Sequence, residues 1–143
     1  MIDNKSSTLD INYNLSISSD EVLAFLDRIE VHIENPSIQF LENIVQQTMA
    51  MIPFQNLSML IRSRNRPSWG TIKSDMIDGS GGLCTSRNPF LKSLLQKLGF
   101  DTWFVSSSMD KPDCHIGICV NLEDSIWWVD IGNGYPYLKP YQL

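Results

Sequence analysis

The sequence predicts an α+β fold in which a helical part precedes an antiparallel sheet. Apolar residues recur at helical spacing in segments before residue 100, and after it they alternate at the two-residue period of strands. A chain of 143 residues, 43% of them hydrophobic, can bury one sizeable core. We therefore expect a single domain (1–143), with residues 1–17 flexible, residues 18–99 helical and residues 100–143 forming the β part.

Two amphipathic helices are predicted first. Ser18 can cap the first helix, with Glu21 three residues later completing a capping box. Asn35 can cap the second helix, and Pro36 suits its first position. The expected buried stripes are Val22, Phe25, Leu26 and Ile29 in the first helix and Ile38, Leu41, Val45 and Met49 in the second.

The next segment, "MIPFQNLSMLIRSRNRPSWG", is broken by Pro53, Pro67 and Gly70. We expect an irregular connection with short extended pieces there. A third helix is predicted through "PFLKSLLQKL", and Gly99 should end it in the left-handed conformation.

Three strands are predicted in "DTWFVSSSM", "CHIGICVNL" and "IWWVDIG", which are rich in β-branched and aromatic residues. If the second turn centres on residues 123–124, Leu122 faces Ser125. His115 then has Asp130 as its diagonal neighbour on the same side of the sheet. A register slip of one residue would place these two side chains on opposite faces.

Charge and hydropathy exclude two classes of partner. The net charge is −5, and the chain has no basic arm or stripe, so no nucleic acid partner is expected. The chain has no signal-peptide core and no apolar run that could span a bilayer, so we expect a cytoplasmic protein without a membrane partner. The odd, sparse set of cysteines fits reduced thiols: Cys84, Cys114 and Cys119.

The stretch "DGSGGLCTSRN" contains the candidate nucleophile, Cys84. Gly81 and Gly82 allow a tight turn before a helix start, where N–H groups and the helix dipole should lower the pKa of a thiol. His115 can then serve as the base, oriented by Asp130. The alternative, a small buried cysteine beside a structural His–Asp pair, stays open at this point.

The polar residues allow two other interpretations, a metal site and a phosphate-binding site. Cys114 and His115 are adjacent on a strand and so face opposite sides, and no second pair completes a tetrahedral set with Cys119, so no metal is expected. A basic run could contact phosphate groups or form a solvated loop surface, and both remain open. The run consists of Arg62, Arg64, Arg66 and Lys73.

Four sequence blocks, in order, resemble the arylamine N-acetyltransferase family. "IPFQNLSM" resembles its Pro-Phe-Glu-Asn-Leu segment, and "GGLC" with the later "LLQKLGF" is similar to its Arg-Gly-Gly-x-Cys signature and the following helix. "CHIGICV" resembles the His-bearing strand, and "WWVDIGNGYPYLKP" resembles the Val-Asp-Val-Gly-Phe-Gly stretch. The resemblance runs from about residue 20 to the C-terminus.

This resemblance implies a papain-like cysteine fold, with a helical bundle packed on a β-barrel that is incomplete here. It implies ping-pong transfer of an acetyl group from acetyl-CoA, through a thioester on Cys84, to an arylamine or hydrazine-type nitrogen. His115 is then the base and Asp130 the residue that orients it. Substrate-binding positions implied by the resemblance are Phe54, Asn133 and Gly134.

The sequence departs from the family pattern around the cysteine. Ser80 replaces the arginine and Gln55 the glutamate, and we expect these two positions to meet, so that a buried charge pair is removed on both sides. Thr85 and Ser86 replace the usual aromatic and acidic residues. Pro89 is free of strain only if the regular helix begins at about Ser86 or later.

Members of the family also carry the rest of the barrel and a lid-like third domain, whereas this chain ends at "KPYQL". A three-stranded sheet that stops there would have an open edge, so we expect a homodimer contact or a partner chain to cover it. Two alternatives stay open. The chain could be a truncated, non-catalytic relative that acts as a binding or regulatory module, or a cysteine hydrolase that uses the same triad.

Overall fold

A computed structural model describes residues 15–108, 110–133 and 137–143, and these form an α+β fold of five helices and a four-stranded antiparallel sheet. The predicted fold class is therefore confirmed. The helices are α1 (Ser19–Arg28), α2 (Ile38–Met51), α3 (Leu57–Ile61), α4 (Trp69–Ile77) and α5 (Cys84–Lys97). The strands, in sheet order, are β1 (Asp101–Ser107), β2 (His115–Leu122), β3 (Ser125–Val129) and β4 (Tyr141–Gln142).

Helix α1 begins as the sequence predicts. The Ser18 hydroxyl accepts from the Glu21 N–H at 3.1 Å, and the Ser18 N–H donates to the Glu21 carboxylate at 2.8 Å, which completes the capping box. The predicted stripe is buried: Val22, Phe25, Leu26 and Ile29.

Helix α2 begins two residues later than an Asn35 cap would place it. Ser37 is the cap, because its hydroxyl accepts from the Phe40 N–H at 3.1 Å while its backbone is extended. The prediction of Asn35 was therefore wrong. The buried face also differs from the predicted stripe. Ile38 and Met49 are only partly buried, whereas Leu41 and Val45 are fully buried together with three residues outside the predicted stripe: Phe40, Ile44 and Thr48.

The connection between α2 and α5 is more regular than predicted, because it contains α3 and α4. Ser68 caps α4 by accepting from the Thr71 N–H at 3.1 Å. Gly70 is only the second residue of α4, where the helix tolerates it, and the buried pair Ile72 and Met76 has helical spacing. The prediction of an irregular segment was wrong here, since a cap and one buried face outweigh a glycine in the first turn.

Helix α5 begins at Cys84, earlier than the start at about Ser86 or later that would leave Pro89 free of strain. Pro89 therefore lies in the second turn, where it removes the N–H that the Thr85 carbonyl would otherwise accept. The helix ends before Gly99, whose φ of 93° is the left-handed conformation that was predicted.

The sheet has the predicted register. Leu122 pairs with Ser125, and the turn residues Glu123 and Asp124 have φ values of 53° and 57°. Strand β4 was not predicted, and it pairs with β3 through its two residues. Helix α5 packs against β1 and β2, and the main core lies between the helices and the sheet. Among the described residues, no helix is long and apolar enough to cross a membrane.

Candidate active site

Cys84 is held at the first turn of α5 by the glycines before it. Gly81 and Gly82 have φ values of 75° and 156°, and a side chain at Gly81 would collide with the Pro53 carbonyl. Phe54 forms a parallel β-bridge with Gly82. The glycine pair therefore lets the chain turn against the segment after α2 and enter α5 directly at the thiol.

The pKa of the Cys84 thiol is raised from its ordinary value. Burial is the main cause, and the negative Asp130 adds to it, while backbone groups of Thr85, Cys84 and Ile116 act in the opposite direction. The expected lowering of the pKa by the helix start is present, but it is smaller than the increase caused by burial. The predicted net direction was therefore wrong, so a thiolate at this position needs a positive partner.

His115 and Asp130 meet as the register prediction requires. His115 is the first residue of β2, and its Nε2 lies 2.7 Å from Asp130 Oδ2, with both side chains buried. The other carboxylate oxygen, Oδ1, accepts from the Gly132 N–H at 2.9 Å. Because an ionised carboxylate only accepts, Asp130 favours the tautomer with the proton on Nε2, and in a neutral imidazole of this kind the lone pair is on Nδ1.

Asn88, one turn after Cys84, is a site residue that the sequence analysis missed. Its Nδ2 donates to Asp130 Oδ1 at 2.9 Å and to the Ile116 carbonyl at 2.5 Å, and its Oδ1 accepts from the Ile131 N–H at 3.1 Å. One side chain therefore links α5 to β2 and to the residues after β3. The available signal was the i, i+4 spacing, which puts Asn88 on the same helix face as the cysteine.

Arg87 was also missed, and it is completely buried. Its Nε donates to the Ile131 carbonyl at 2.5 Å, its Nη1 to the Ile52 carbonyl at 2.6 Å and its Nη2 to the Met49 sulfur at 3.4 Å. Burial lowers the pKa of Arg87 to about 10, while the charge of Asp130 acts to raise it. An arginine in "CTSRN" carries no sequence signal for burial, because most arginines are exposed.

A cavity of about 590 Å³ reaches both Cys84 and His115. Phe54 and Asn133 are not among the residues that line it: Phe54 is 43% exposed, and Asn133 is half-buried. Gly134, the third predicted substrate position, lies outside the described residues. The walls include Trp69, Ile72, Cys84, Pro89, Phe104 and His115.

The basic run divides into two kinds of residue. Arg62 contacts both carboxylate oxygens of Asp75, at 3.0 and 2.8 Å, and Lys73 contacts Glu21 at 2.7 Å. Arg64 and Arg66 are exposed, and Arg66 lies at the cavity wall.

The predicted meeting of Gln55 and Ser80 is confirmed, since Gln55 Nε2 donates to the Ser80 carbonyl at 2.9 Å. The expected burial of this contact was wrong, because Ser80 is exposed and Gln55 is half-buried. No group of three His, Cys, Asp or Glu residues within the described ranges could hold a metal ion.

Comparisons with known proteins identify relatives of this chain. A family model described as N-acetyltransferase matches residues 37–143. A pineal gland isozyme of arylamine N-acetyltransferase from Gallus gallus is 26% identical over 114 residues, which cover 73% of this chain and 39% of that protein.

Solved structures of arylamine N-acetyltransferases share the fold. The Salmonella typhimurium enzyme superimposes with a TM-score of 0.78 at 20% identity, covering 89% of this chain and 50% of that one. The Nocardia farcinica enzyme gives 0.75 at 26% identity, with coverage of 85% and 46%. The Bacillus cereus enzyme, reported to have a Cys-His-Glu triad, gives 0.75 at 24% identity, with coverage of 87% and 54%. The chain therefore spans about half, or less, of the length of these relatives.

Proposed function

Because the chain belongs to the arylamine N-acetyltransferase family, we propose that it transfers an acetyl group from acetyl-CoA to an arylamine or hydrazine-type nitrogen. Cys84, His115 and Asp130 form the catalytic triad in this proposal. The observation that carries it is the 2.7 Å contact between His115 and Asp130 beside a cavity that Cys84 also lines. A buried carboxylate at Nε2 leaves Nδ1 of the imidazole able to take a proton from the thiol.

In the first half-reaction, His115 takes the Cys84 proton, and the resulting thiolate attacks the thioester carbonyl of acetyl-CoA. The new bond joins the Cys84 sulfur to the acetyl carbon, and the bond to the CoA sulfur breaks. The leaving CoA thiolate takes the proton from His115. The raised pKa of the thiol makes this base necessary, because burial holds Cys84 in its neutral form.

In the second half-reaction, the amine nitrogen attacks the acetyl-cysteine carbonyl, and His115 accepts a proton from the nitrogen. The carbon–sulfur bond to Cys84 then breaks, the thiolate recovers the proton, and the amide leaves. Phe54, Asn133 and Gly134 are proposed substrate-binding residues on the resemblance alone. The proposal includes no metal.

The finer architecture also belongs to the proposal. We infer a papain-like arrangement of residues 18–99 on β-barrel strands formed by residues 100–143, in a cytoplasmic protein. Exposed apolar side chains support cover of the sheet by a second copy or a partner chain. On the described strands, the large apolar side chains that are at least 38% exposed are Trp103, Ile126 and Tyr141.

The test is incubation with acetyl-CoA followed by intact mass measurement. We expect the protein to gain one acetyl group, and Cys84→Ala to gain none. Cys119→Ala is the matched control, because Cys119 is a buried β2 cysteine away from the cavity wall, and it should still be acetylated. The proposal fails if the unaltered protein gains no acetyl group at any acetyl-CoA concentration, which would favour the non-catalytic relative.

A second assay separates transfer from hydrolysis. Release of p-nitrophenol from p-nitrophenyl acetate should accelerate when an arylamine is added, because the amine removes the acetyl group from Cys84. Release that proceeds at the same rate with and without the amine would instead favour a cysteine hydrolase.

A further inference from the structure

Arg87 takes no part in the steps above, yet it is the largest fully buried side chain among the described residues. None of the ion pairs formed within the described ranges includes it. Its acceptors are two backbone carbonyls and a thioether. A buried guanidinium is costly unless a negative charge nearby compensates it, so this position calls for a physical reason.

One reason is Ile131, the residue that follows Asp130. The Ile131 N–H donates to Asn88 Oδ1, and the Ile131 carbonyl accepts from Arg87 Nε. Two consecutive residues of α5 therefore hold the residue directly after the carboxylate. Through Nη1, Arg87 also ties this point to Ile52 at the end of α2. These bonds limit movement of Asp130 relative to His115.

The second reason is charge. Burial lowers the pKa of Arg87 only to about 10, so the guanidinium is protonated at neutral pH, and the charge of Asp130 favours that form. Arg87 and an ionised Asp130 together carry no net charge, so the buried guanidinium and the buried carboxylate compensate each other.

We propose that Arg87 is a positioning residue for the His115–Asp130 pair: it fixes Ile131, the residue after Asp130, and supplies the buried positive charge that compensates the Asp130 carboxylate. The inference rests on the proposed function only in taking Cys84 as the nucleophile that His115 serves. Without this charge, the buried Asp130 carboxylate would be left uncompensated beside His115. Alkylation of Cys84, which His115 assists, should then need a higher pH.

The test measures the rate of Cys84 alkylation by iodoacetamide across pH, which requires no acyl donor. In Arg87→Met, the acid limb of this profile should move to higher pH by roughly one unit, the size expected for losing one nearby charge. Arg87→Lys keeps the positive charge but loses the planar guanidinium with its several N–H donors. Its acid limb should therefore stay near that of the unaltered protein. The other charged groups that line the cavity near His115, Arg66 and Asp113, are the same in every variant.

Ile44→Ala is the control for lost stability, because Ile44 is buried in α2 and is not among the residues that line the cavity. It should unfold more easily without moving the acid limb. If Arg87→Met does not fold, Arg87→Gln removes the same charge and is measured in its place. An acid limb that stays in place in the neutral variants would overturn the proposal and leave Arg87 a purely structural residue. A shifted limb in a protein that transfers no acetyl group would sustain this inference while the proposed function failed.

Discussion

Asn88 and Asp130 are 42 residues apart in the sequence, and a hydrogen bond of 2.9 Å joins Asn88 Nδ2 to Asp130 Oδ1. The same oxygen accepts from Gly132, so the carboxylate has only Oδ2 to offer to His115. The geometry of the His–Asp pair is therefore set from the helix that carries the cysteine. A substitution at Asn88 should therefore affect His115 as the base indirectly, through Asp130.

Asn88→Ala should lower the rate of acetyl transfer by roughly ten- to a hundredfold, because a misplaced Asp130 no longer fixes the imidazole. It should also reduce the free energy of unfolding by about 1–3 kcal/mol, since the Ile131 N–H and the Ile116 carbonyl lose a buried partner. Rate assays and urea unfolding measure the two effects. Asn121→Ala removes an exposed amide–carboxylate contact and should change neither. An Asn88→Ala protein with the normal rate would contradict the assigned role.

Gly132→Ala should be strongly damaging, because the added Cβ would lie 2.6 Å from Cys84 Cα and 2.7 Å from Asn88 Nδ2. Both neighbours are packed, so we expect a loss of about 1–3 kcal/mol in unfolding free energy together with slower alkylation of Cys84. Gly70→Ala is the matched control. Its nearest atom would be 3.9 Å away, and an alanine in α4 should leave stability unchanged or raise it slightly. Equal effects of the two substitutions would refute this explanation.

The raised pKa of Cys84 predicts how the thiol behaves without its base. In His115→Ala, iodoacetamide should alkylate Cys84 appreciably only above pH 9.0, the ordinary value for the group, whereas the unaltered protein should react at lower pH. Peptide mapping separates Cys84 from the other two cysteines. Equal reactivity of the variant and the unaltered protein at neutral pH would show that His115 does not assist the thiol.

The raised pKa of Cys84 also makes stability depend on pH. A thiol whose pKa is raised by folding holds its proton more tightly in the folded state than in the unfolded chain. Its contribution to stability is therefore full below the unfolded value and is lost as pH rises through the folded value. Replacing Cys84 by serine should consequently flatten the alkaline fall in unfolding free energy, which denaturant titrations at several pH values can measure.

Local rules were sufficient for part of the fold. The capping box at Ser18 and the turn at residues 123–124 depend on neighbouring residues, so the sequence predicts α1 and the β2–β3 register correctly. The register in turn places His115 beside Asp130. Helix α4 was missed because its glycine and the preceding prolines suggest a loop, whereas its stability comes from burial of Ile72 and Met76 against other helices.

Long-range bonds explain what could not be predicted at the site. Arg87 and Asn88 are polar residues next to each other in a helix, and their roles depend on the Ile131 peptide 43 or more residues later. No local pattern marks Arg87 as buried, and the only local signal for Asn88 is its i, i+4 spacing from Cys84. The direction of the Cys84 pKa shift was missed for the same reason, since burial by distant segments outweighs the helix start.

The contact between Gln55 and Ser80 allows a test of the missing charge pair. Gln55 Nε2 donates to the Ser58 hydroxyl at 2.8 Å and to the Ser80 carbonyl at 2.9 Å. Gln55→Glu alone should destabilise the protein by about 1 kcal/mol, because a carboxylate would face the Ser80 carbonyl in place of a donor. Ser80→Arg alone should have little effect, since Ser80 is exposed. The double variant should recover stability through a new ion pair.

Unfolding free energies of the two single variants and the double variant form a double-mutant cycle. We expect a favourable coupling of roughly 0.2–1 kcal/mol, the range for pairs that are partly exposed to solvent. The coupling should shrink in high salt, because the ions screen exposed charges. Additive effects of the two substitutions at low salt would mean that a charged pair cannot form here. The replacement of the family's arginine and glutamate by Ser80 and Gln55 would then reflect a different local backbone, rather than the removal of an ion pair without loss of stability.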